Sequence, residues 1–368
     1  MRLIVVGSGI TGSACAYAAA RLGAEVTLVD AGLPGQATAA GAGIICPWTN
    51  GAPGSARYDF ACAAARAYPQ LVAELAEHGE TGVSYRQTGA LVLAETGGQL
   101  ERISQVLAAR RAGAPEMAEV QALTSEEARQ LFPPLRPGPA AVHIGGAARV
   151  DGRRMAAALT RAAARNGAVS RTGEAALTCR DGRVTGVVAG GELIEADAVV
   201  AAAGAWSASF LAAAGVTVRV SPQRGQIAHI SLPGADTGRW PVVLPLGSDH
   251  YLLAFDDSRV VAGATRETGA GFDLRVTPAG VHEVLTQALA VAPGLGSGTL
   301  LETRVGFRPA GPDDRPLLGP VPGIGGLIVA TGLGASGLTM GPYAGEIAAR
   351  AALGLPVPVD LAPFDPVR

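Results

Sequence analysis

The chain opens on an apolar run, Leu3-Ile-Val-Val6, followed by Gly7, Gly9 and Gly12, an alanine-rich stretch, and then Glu25-Val-Thr-Leu-Val-Asp30. A short apolar run bounded by glycine reads as a buried strand, and the alanine-rich stretch as a helix. The predicted order is strand, tight turn, helix, strand, with an acid closing the second strand. Helical periodicity also covers residues 55–79, where Phe60, Ala64, Leu71 and Leu75 share a face, and residues 97–112, 124–131, 150–166 and 277–291. Val83–Tyr85 and Ala90–Leu93 read as strands. So do residues 169–171, 175–178 and 184–188, the last two joined by a hairpin at Asp181-Gly182. Glu195 to Ala203 reads as one strand running into the turn at Gly204, and residues 222–266 alternate like a β-sheet. Near the end, the apolar strand Gly326–Thr331 meets a glycine-rich segment, Gly332 to Pro342, which opens a last helix to about Leu353.

The first of these patterns carries chemistry. A strand, a Gly-x-Gly-x-x-Gly turn, a helix and a second strand ending in an acid make up the dinucleotide-binding fingerprint in its full context. Gly7 permits the tight turn, Gly9 lets backbone approach a pyrophosphate, and Gly12 lets the helix lie close on the strand. The helix opening at Ile10 and Thr11 then offers unpaired N–H groups to phosphate. Asp30, 18 positions after Gly12, can accept hydrogen bonds from ribose hydroxyls, and its charge disfavours a 2′-phosphate, so NADP is not expected. The many small residues between Gly35 and Trp48 suggest backbone lying against a flat ligand. The second glycine-rich junction, around Gly334 and Gly337, suggests an anion or ring site at a helix N-terminus.

Length, charge and residue usage narrow the class. A chain of 368 residues suggests two domains. The net charge of −2 gives no reason to expect nucleic acid or an anionic membrane surface. The chain contains no lysine, which excludes a pyridoxal-phosphate enzyme and any oxygen-activating lysine. The four cysteines (Cys15, Cys46, Cys62 and Cys179) are scattered without CxxC spacing, so neither a disulfide scaffold nor a metal site is expected. They point to a reducing compartment, the cytoplasm. No run of about 20 uninterrupted apolar residues suggests a transmembrane helix.

With these features in order, the chain resembles the D-amino-acid oxidase superfamily, in particular its glycine oxidase and D-amino-acid dehydrogenase branch. The resemblance runs from residue 2 to about 354. Beyond the first glycine turn it rests on Val150-Asp151, Ala203-Gly204-Ala-Trp206-Ser207, Pro222-x-Arg224-Gly225-Gln226, Gly263-Ala-Thr265-x-Glu267, Gly306-Phe-Arg308-Pro309 with Pro312-Asp313-x-Arg-Pro316, and Gly332 to Pro342. It implies an α/β fold: a Rossmann-like FAD-binding domain (1–84, 145–216, 304–368) with a β-rich α+β substrate domain (85–144, 217–303) inserted discontinuously. It implies non-covalent FAD in a site of three separated segments. Residues 7–12 with Asp30 and Ala31 hold pyrophosphate and ribose. Ala37, Thr38, Ala42, Gly43 and Ile44 line the pyrophosphate and flavin, and Ala175 meets adenine. Gly204 and Trp206 belong to the same site, and Leu333, Gly334, Ala335, Ser336, Gly337, Leu338 and Thr339 put a helix N-terminus at the flavin pyrimidine end.

The resemblance also implies the reaction: hydride transfer from the carbon bearing an amine to the flavin, giving an imine that hydrolyses to a 2-oxo acid and ammonia. Glycine or a D-amino acid is the expected substrate, with Arg308 pairing its carboxylate and Tyr251 supporting that contact. Asp313 is the local carboxylate that could instead occupy Arg308. His250 should point away from Tyr251, and His78, His143, His229 and His282 read as surface or core residues. Three departures from the family pattern stand out: Leu333 where many relatives have histidine, Ala254-Phe255 where glycine oxidases usually have proline and arginine, and Gly306-Phe307 where the sarcosine-oxidase branch attaches flavin through cysteine. The alternatives are oxidation of a sarcosine- or proline-like secondary amine acid, and a flavin redox module without amine chemistry. The electron acceptor is open between oxygen and a quinone or protein partner, the last with attachment at the inner membrane surface. The oligomeric state is not addressed by the sequence.

Overall fold

In the computed structural model, which describes all 368 residues, the opening pattern folds as β1 (Arg2–Val6), α1 (Ile10–Arg21) and β2 (Glu25–Asp30). β1 and β2 are inner strands of a six-stranded sheet ordered Leu317–Pro320, Leu327–Thr331, Ala198–Ala201, β1, β2, Val169–Thr172. Every neighbouring pair is parallel except the antiparallel edge strand Leu317–Pro320. A parallel strand covered on both faces needs an uninterrupted apolar run, and Leu3 to Val6 are all buried.

The alanine content of α1 has a direct cause. Two helices, Gly152–Arg165 and Gly337–Ala352, pack against it. A Cβ on Gly345 would stand 2.4 Å from the Thr11 carbonyl oxygen, and one on Gly341 would stand 2.6 Å from Ile10. Helices can approach this closely only where side chains are absent or single methyls.

A second sheet has nine strands. Its order is Glu267–Thr268, Ser221–Ser231, Arg259–Gly263, Tyr251–Phe255, Val242–Pro245, Ala90–Ala94, Ala140–Ile144 and Val120–Leu123, with Thr299–Ala310 also paired to Ser221–Ser231. It is antiparallel apart from the pair Val242–Pro245 with Ala90–Ala94. The chain enters this sheet twice, between visits to the parallel one. Thr299–Ala310 runs across residue 304 and stays in the nine-stranded sheet to its end.

Three local expectations change. Val83–Tyr85 is not a strand, because Ser84 adopts φ +54°, and the short strand is Arg86–Gln87. The expected strand from Glu195 to Ala203 divides into Glu192–Glu195 and Ala198–Ala201, which belong to different sheets. The break is fixed at Asp197, whose carboxylate accepts from the Arg2 amide at 2.7 Å. The long strand Thr299–Ala310 was hidden in the sequence by Gly306 and Pro309.

Helix Ala56–Glu77 is tied to helix Gly152–Arg165 by Glu80, just past its end. The Glu80 carboxylate is 6% exposed and accepts from Arg161 Nε at 3.0 Å and Arg165 Nη1 at 2.6 Å. These arginine hydrogen bonds, Arg161 first, hold its pKa down to about 2 from an ordinary 4.5. A folded-state pKa below the unfolded one gives stability that is complete above about pH 4.5 and lost as pH falls toward about 2. Glu80→Gln should therefore melt below the parent at pH 7, with the gap closing as the melts are repeated from pH 5 down to pH 3. A gap that stays constant with pH would show that the charge on Glu80 contributes nothing.

Candidate active site

A cleft of about 460 Å³ opens where the two sheets meet. One end is formed by the C-terminal side of the parallel strands. Gly7 has φ +104°, and a Cβ there would stand 2.4 Å from the Ala202 carbonyl oxygen, so only glycine closes this turn. A Cβ on Gly12 would fall 1.7 Å from the Gly7 oxygen. Gly12 therefore sets the closeness of α1 to β1 and lies behind the cleft wall, while Gly7, Gly9, Ile10 and Thr11 line it. Gly9, just before the helix, has no side chain to cap it; the Ile10 amide, expected to be free, is taken by Thr38 Oγ1, and the Thr11 and Gly12 amides are left for a ligand.

Asp30 lines the same end with Ala31 and Ala175. Its Oδ1 accepts from the Gly32 amide at 2.7 Å and Gln36 Nε2 at 3.1 Å, and its Oδ2 accepts from the Ser8 amide. A carboxylate offers about four acceptor positions, so these bonds orient Asp30 and leave room for a hydroxyl. Thr38 faces it, its Oγ1 accepting from the Ile10 amide at 2.9 Å. Ala37, Ala42, Gly43 and Ile44 continue the wall. Gly43 has φ +103° and lies so close to Val150 that a Cβ would reach its oxygen at 1.8 Å.

The far wall is the second glycine junction. Leu333, Gly334, Ala335, Gly337 and Leu338 line the cleft, with Gly204 and Trp206 beside them. The last helix begins without a side-chain cap. Ser336 and Thr339 do not reach the cleft. The Ser336 hydroxyl accepts from Arg57 Nη2 at 3.1 Å, and Thr339 Oγ1 donates to the Ile44 carbonyl at 2.9 Å. Thr339 thus ties the last helix to the Ala37–Ile44 segment.

Arg308 and Tyr251 stand together in the cleft wall contributed by the nine-stranded sheet. The Arg308 guanidinium makes one hydrogen bond within the chain, from Nη1 to the Thr265 carbonyl at 3.0 Å. Asp313 is not its partner; that carboxylate pairs with Arg315 and Arg368. Burial pushes the Arg308 pKa down, opposed by the Tyr251 oxygen beside it. Burial pushes the Tyr251 phenol up, opposed by Arg308 and Arg266. Tyr251 is therefore a protonated donor at neutral pH. His250 points the other way, with Nε2 3.5 Å from Glu283. No histidine or cysteine lines the cleft.

The cleft also has lining residues that the sequence reading did not single out. Phe307 stacks edge-on against Trp206 and Phe272, and Arg266 and Asp249 form an ion pair at 2.9 Å. Arg266 follows the Gly263-Ala-Thr265 motif directly, and alternation from Ala264 would have placed it on the cleft face. Asp249 lies in a turn and gave no sequence signal.

The fit to FAD rests on these features. A cleft with two helix N-termini facing it, small residues along its walls and acids at one end suits a dinucleotide carrying a ring. The cleft has two arginines, Arg266 and Arg308, both at the end away from Asp30, so a pyrophosphate would be held by backbone amides and helix dipoles. The signature of the DAO family, FAD dependent oxidoreductase, matches residues 2–351. The chain belongs to this family of FAD-dependent oxidoreductases. An uncharacterized oxidoreductase of Bacillus subtilis (strain 168) is 46% identical over 364 residues, covering 99% of this chain and 98% of its own. A glycine oxidase of Pseudomonas putida is 29% identical over 371 residues, covering 99% and 98%. Among solved structures, an iminodiacetate oxidase from Chelativorans sp. BNC1 is similar at 49% identity and TM-score 0.96, covering 99% of both chains. A glycine oxidase from Geobacillus kaustophilus follows at 27% identity and TM-score 0.89, covering 100% and 99%.

This DAO-family chain is an FAD-dependent oxidoreductase, and none of its helices is long and apolar enough to cross a membrane. With no cysteine or histidine on the cleft wall, its FAD should be held without a covalent bond. Acid precipitation of the purified protein should leave the yellow colour in the supernatant. Colour that stays with the denatured chain would overturn this.

Proposed function

We propose that this oxidoreductase oxidises the carbon–nitrogen bond of a small amino acid, and that its substrate is an N-substituted glycine bearing a second carboxylate, of the iminodiacetate type. The carrying observation is Arg308. A guanidinium has five N–H donors, and this one uses a single donor on a backbone carbonyl. A desolvated cation without an anion from its own chain is unfavourable unless a ligand supplies one. Planar geometry suits it to a carboxylate held through two parallel bonds. Tyr251 donates its hydroxyl proton to the same carboxylate.

Bound FAD supplies the two-electron acceptor for the hydrogen on the carbon next to the amine. The chain's own contribution is positioning: Arg308 and Tyr251 fix the carboxylate, so the neighbouring carbon has one accessible orientation. The walls bring no histidine that could act as a base, and the substrate enters with its amine unprotonated. Leu333 keeps the opposite wall apolar. The imine product hydrolyses in water to a 2-oxo acid and the freed amine.

Two observations favour a second carboxylate over free glycine or a D-amino acid. Arg266 is a second cation in the same cleft, and its partner Asp249 is 65% exposed and able to turn to solvent. The similarity to an iminodiacetate oxidase at 49% identity exceeds that to the glycine oxidases at 29% and 27%.

Arg308→Ala should retain FAD and lose about a hundred- to a few-thousand-fold in kcat/KM, since removing one partner of a desolvated charge pair costs about 3–5 kcal/mol. Arg308→Lys should recover little of it, because an ammonium lacks the planar fork. Anaerobic flavin bleaching by iminodiacetate, sarcosine, glycine and a carboxylate-free amine is the measurement. Parent-like bleaching of Arg308→Ala at low substrate would end the carboxylate assignment. In the same panel, Arg266→Ala should raise KM for iminodiacetate roughly two- to fivefold, the range of a solvent-exposed ion pair, and leave glycine unchanged. Equal effects on both would return the reading to simple amino acids.

A further inference from the structure

Two sequence motifs, Pro222-x-Arg224-Gly225-Gln226 and Gly263-Ala-Thr265-x-Glu267, have no role so far beyond marking the family. The structure places them side by side. Arg224 stands opposite Glu267 and Ile227 opposite Gly263 in the nine-stranded sheet, and Gly225 stands opposite Gly306 on the other flank. Their residues alternate in facing. Gly225, Ile227, Ala264 and Arg266 line the cleft, while Arg224, Gln226, Thr265 and Glu267 bond to one another behind it.

The bonding behind the wall is dense. Thr265 Oγ1 accepts from the Gln226 amide at 2.9 Å and donates to Glu267 Oε1 at 2.7 Å. The Thr265 amide donates to the Gln226 carbonyl at 3.2 Å. Gln226 Nε2 donates to Glu267 Oε1 at 2.8 Å, and Arg224 Nε donates to Glu267 Oε2 at 2.9 Å. Thr265 and Gln226 are fully buried. Thr265 is thereby fixed through its amide and its hydroxyl, and the carbonyl it has left is the acceptor for Arg308 Nη1. Gly225 supplies the other constraint. A Cβ there would lie 2.4 Å from Arg308 Nη1 and 2.6 Å from Cζ and Nη2, so the guanidinium lies flat against bare backbone.

We propose that Thr265 and Gly225 are positioning residues for Arg308, and that the two motifs exist to hold its guanidinium in one plane with one edge presented to the substrate. An arginine reaches its head through a long flexible stem, and a bidentate pair needs that head within about 10–20° of its productive orientation. The carbonyl of Thr265 fixes one Nη1 hydrogen and the surface of Gly225 fixes the plane. This inference rests on the reading of Arg308 as the carboxylate anchor.

The test uses the FAD-loaded enzyme with Thr265→Val, which removes the hydroxyl at constant size, Thr265→Ser, which keeps it, and Gly225→Ala, which drives a methyl into the guanidinium plane. The readouts are KM and kcat for iminodiacetate, and the affinity for glycolate, a carboxylate without an amine, followed through the flavin spectrum. Thr265→Val and Gly225→Ala should weaken glycolate and raise KM by about tenfold to a hundredfold, the range of a small misplacement of a positioning group, with kcat changing less and FAD retained. Thr265→Ser should return close to the parent. Parent-like glycolate affinity in Thr265→Val, or Thr265→Ser as damaged as Thr265→Val, overturns the role of Thr265. If Thr265→Val does not fold, parent-like glycolate affinity in Gly225→Ala overturns the proposal. Arg308→Ala separates the two levels: glycolate binding unchanged there removes the anchor reading itself. Glycolate binding lost there and kept in the positioning variants removes only this inference.

Discussion

The antiparallel ladder between Ser221–Ser231 and Thr299–Ala310 is the interaction on which the site depends. It runs from Ser221 opposite Ala310 to Ser231 opposite Thr299. Its second strand also touches the cofactor half: the Phe307 amide donates to the Gly35 carbonyl at 2.9 Å, and Gly306 lies so near Ala40 that a Cβ would come within 2.6 Å of its methyl. One strand is therefore hydrogen-bonded to the nine-stranded sheet and to the segment that follows β2. Arg308 is the next residue along it. The place of the Arg308 backbone beside the cofactor cleft is set by backbone hydrogen bonds.

Charge is divided along the cleft to match. The cofactor end has two carboxylates, Asp30 and Glu174, and no cation, so phosphate affinity must come from two helix N-termini and the glycine turns that expose them. The cations lie at the other end, Arg308 withdrawn from solvent and Arg266 nearer to it. In a chain without lysine, each of these positive groups has the planar fork of arginine. That planar fork suits both to the carboxylates of the proposed substrate.

The small residues of the chain serve the same end. Glycines 7, 12, 341 and 345 let β1, α1 and the last helix approach to backbone contact, and glycines 225 and 263 leave space for the heads of Arg308 and Tyr251. Added side chains at the first group would push the parallel sheet and its helices apart. At the second they would displace the Arg308 and Tyr251 heads directly.

The sequence by itself determined the dinucleotide turn, the parallel strands around it and most helices to within a residue or two, while Arg308 and Tyr251 came forward only through the family resemblance. These signals are local: an apolar run, a glycine spacing, a helical period, or a short motif. The tertiary structure alone decided that Asp313 turns to Arg315 and Arg368 and leaves Arg308 without an anion from the chain. It alone showed that Ser336 and Thr339 bond away from the cleft while Arg266 and Asp249 enter it, and that Arg224, Gln226, Thr265 and Glu267 interlock behind the wall. Which carboxylate a guanidinium meets depends on strand register and on elements more than 40 residues away in the chain, as Arg224 and Glu267 are. No periodicity within one segment encodes that partnership, because it exists only once the two motifs are hydrogen-bonded side by side.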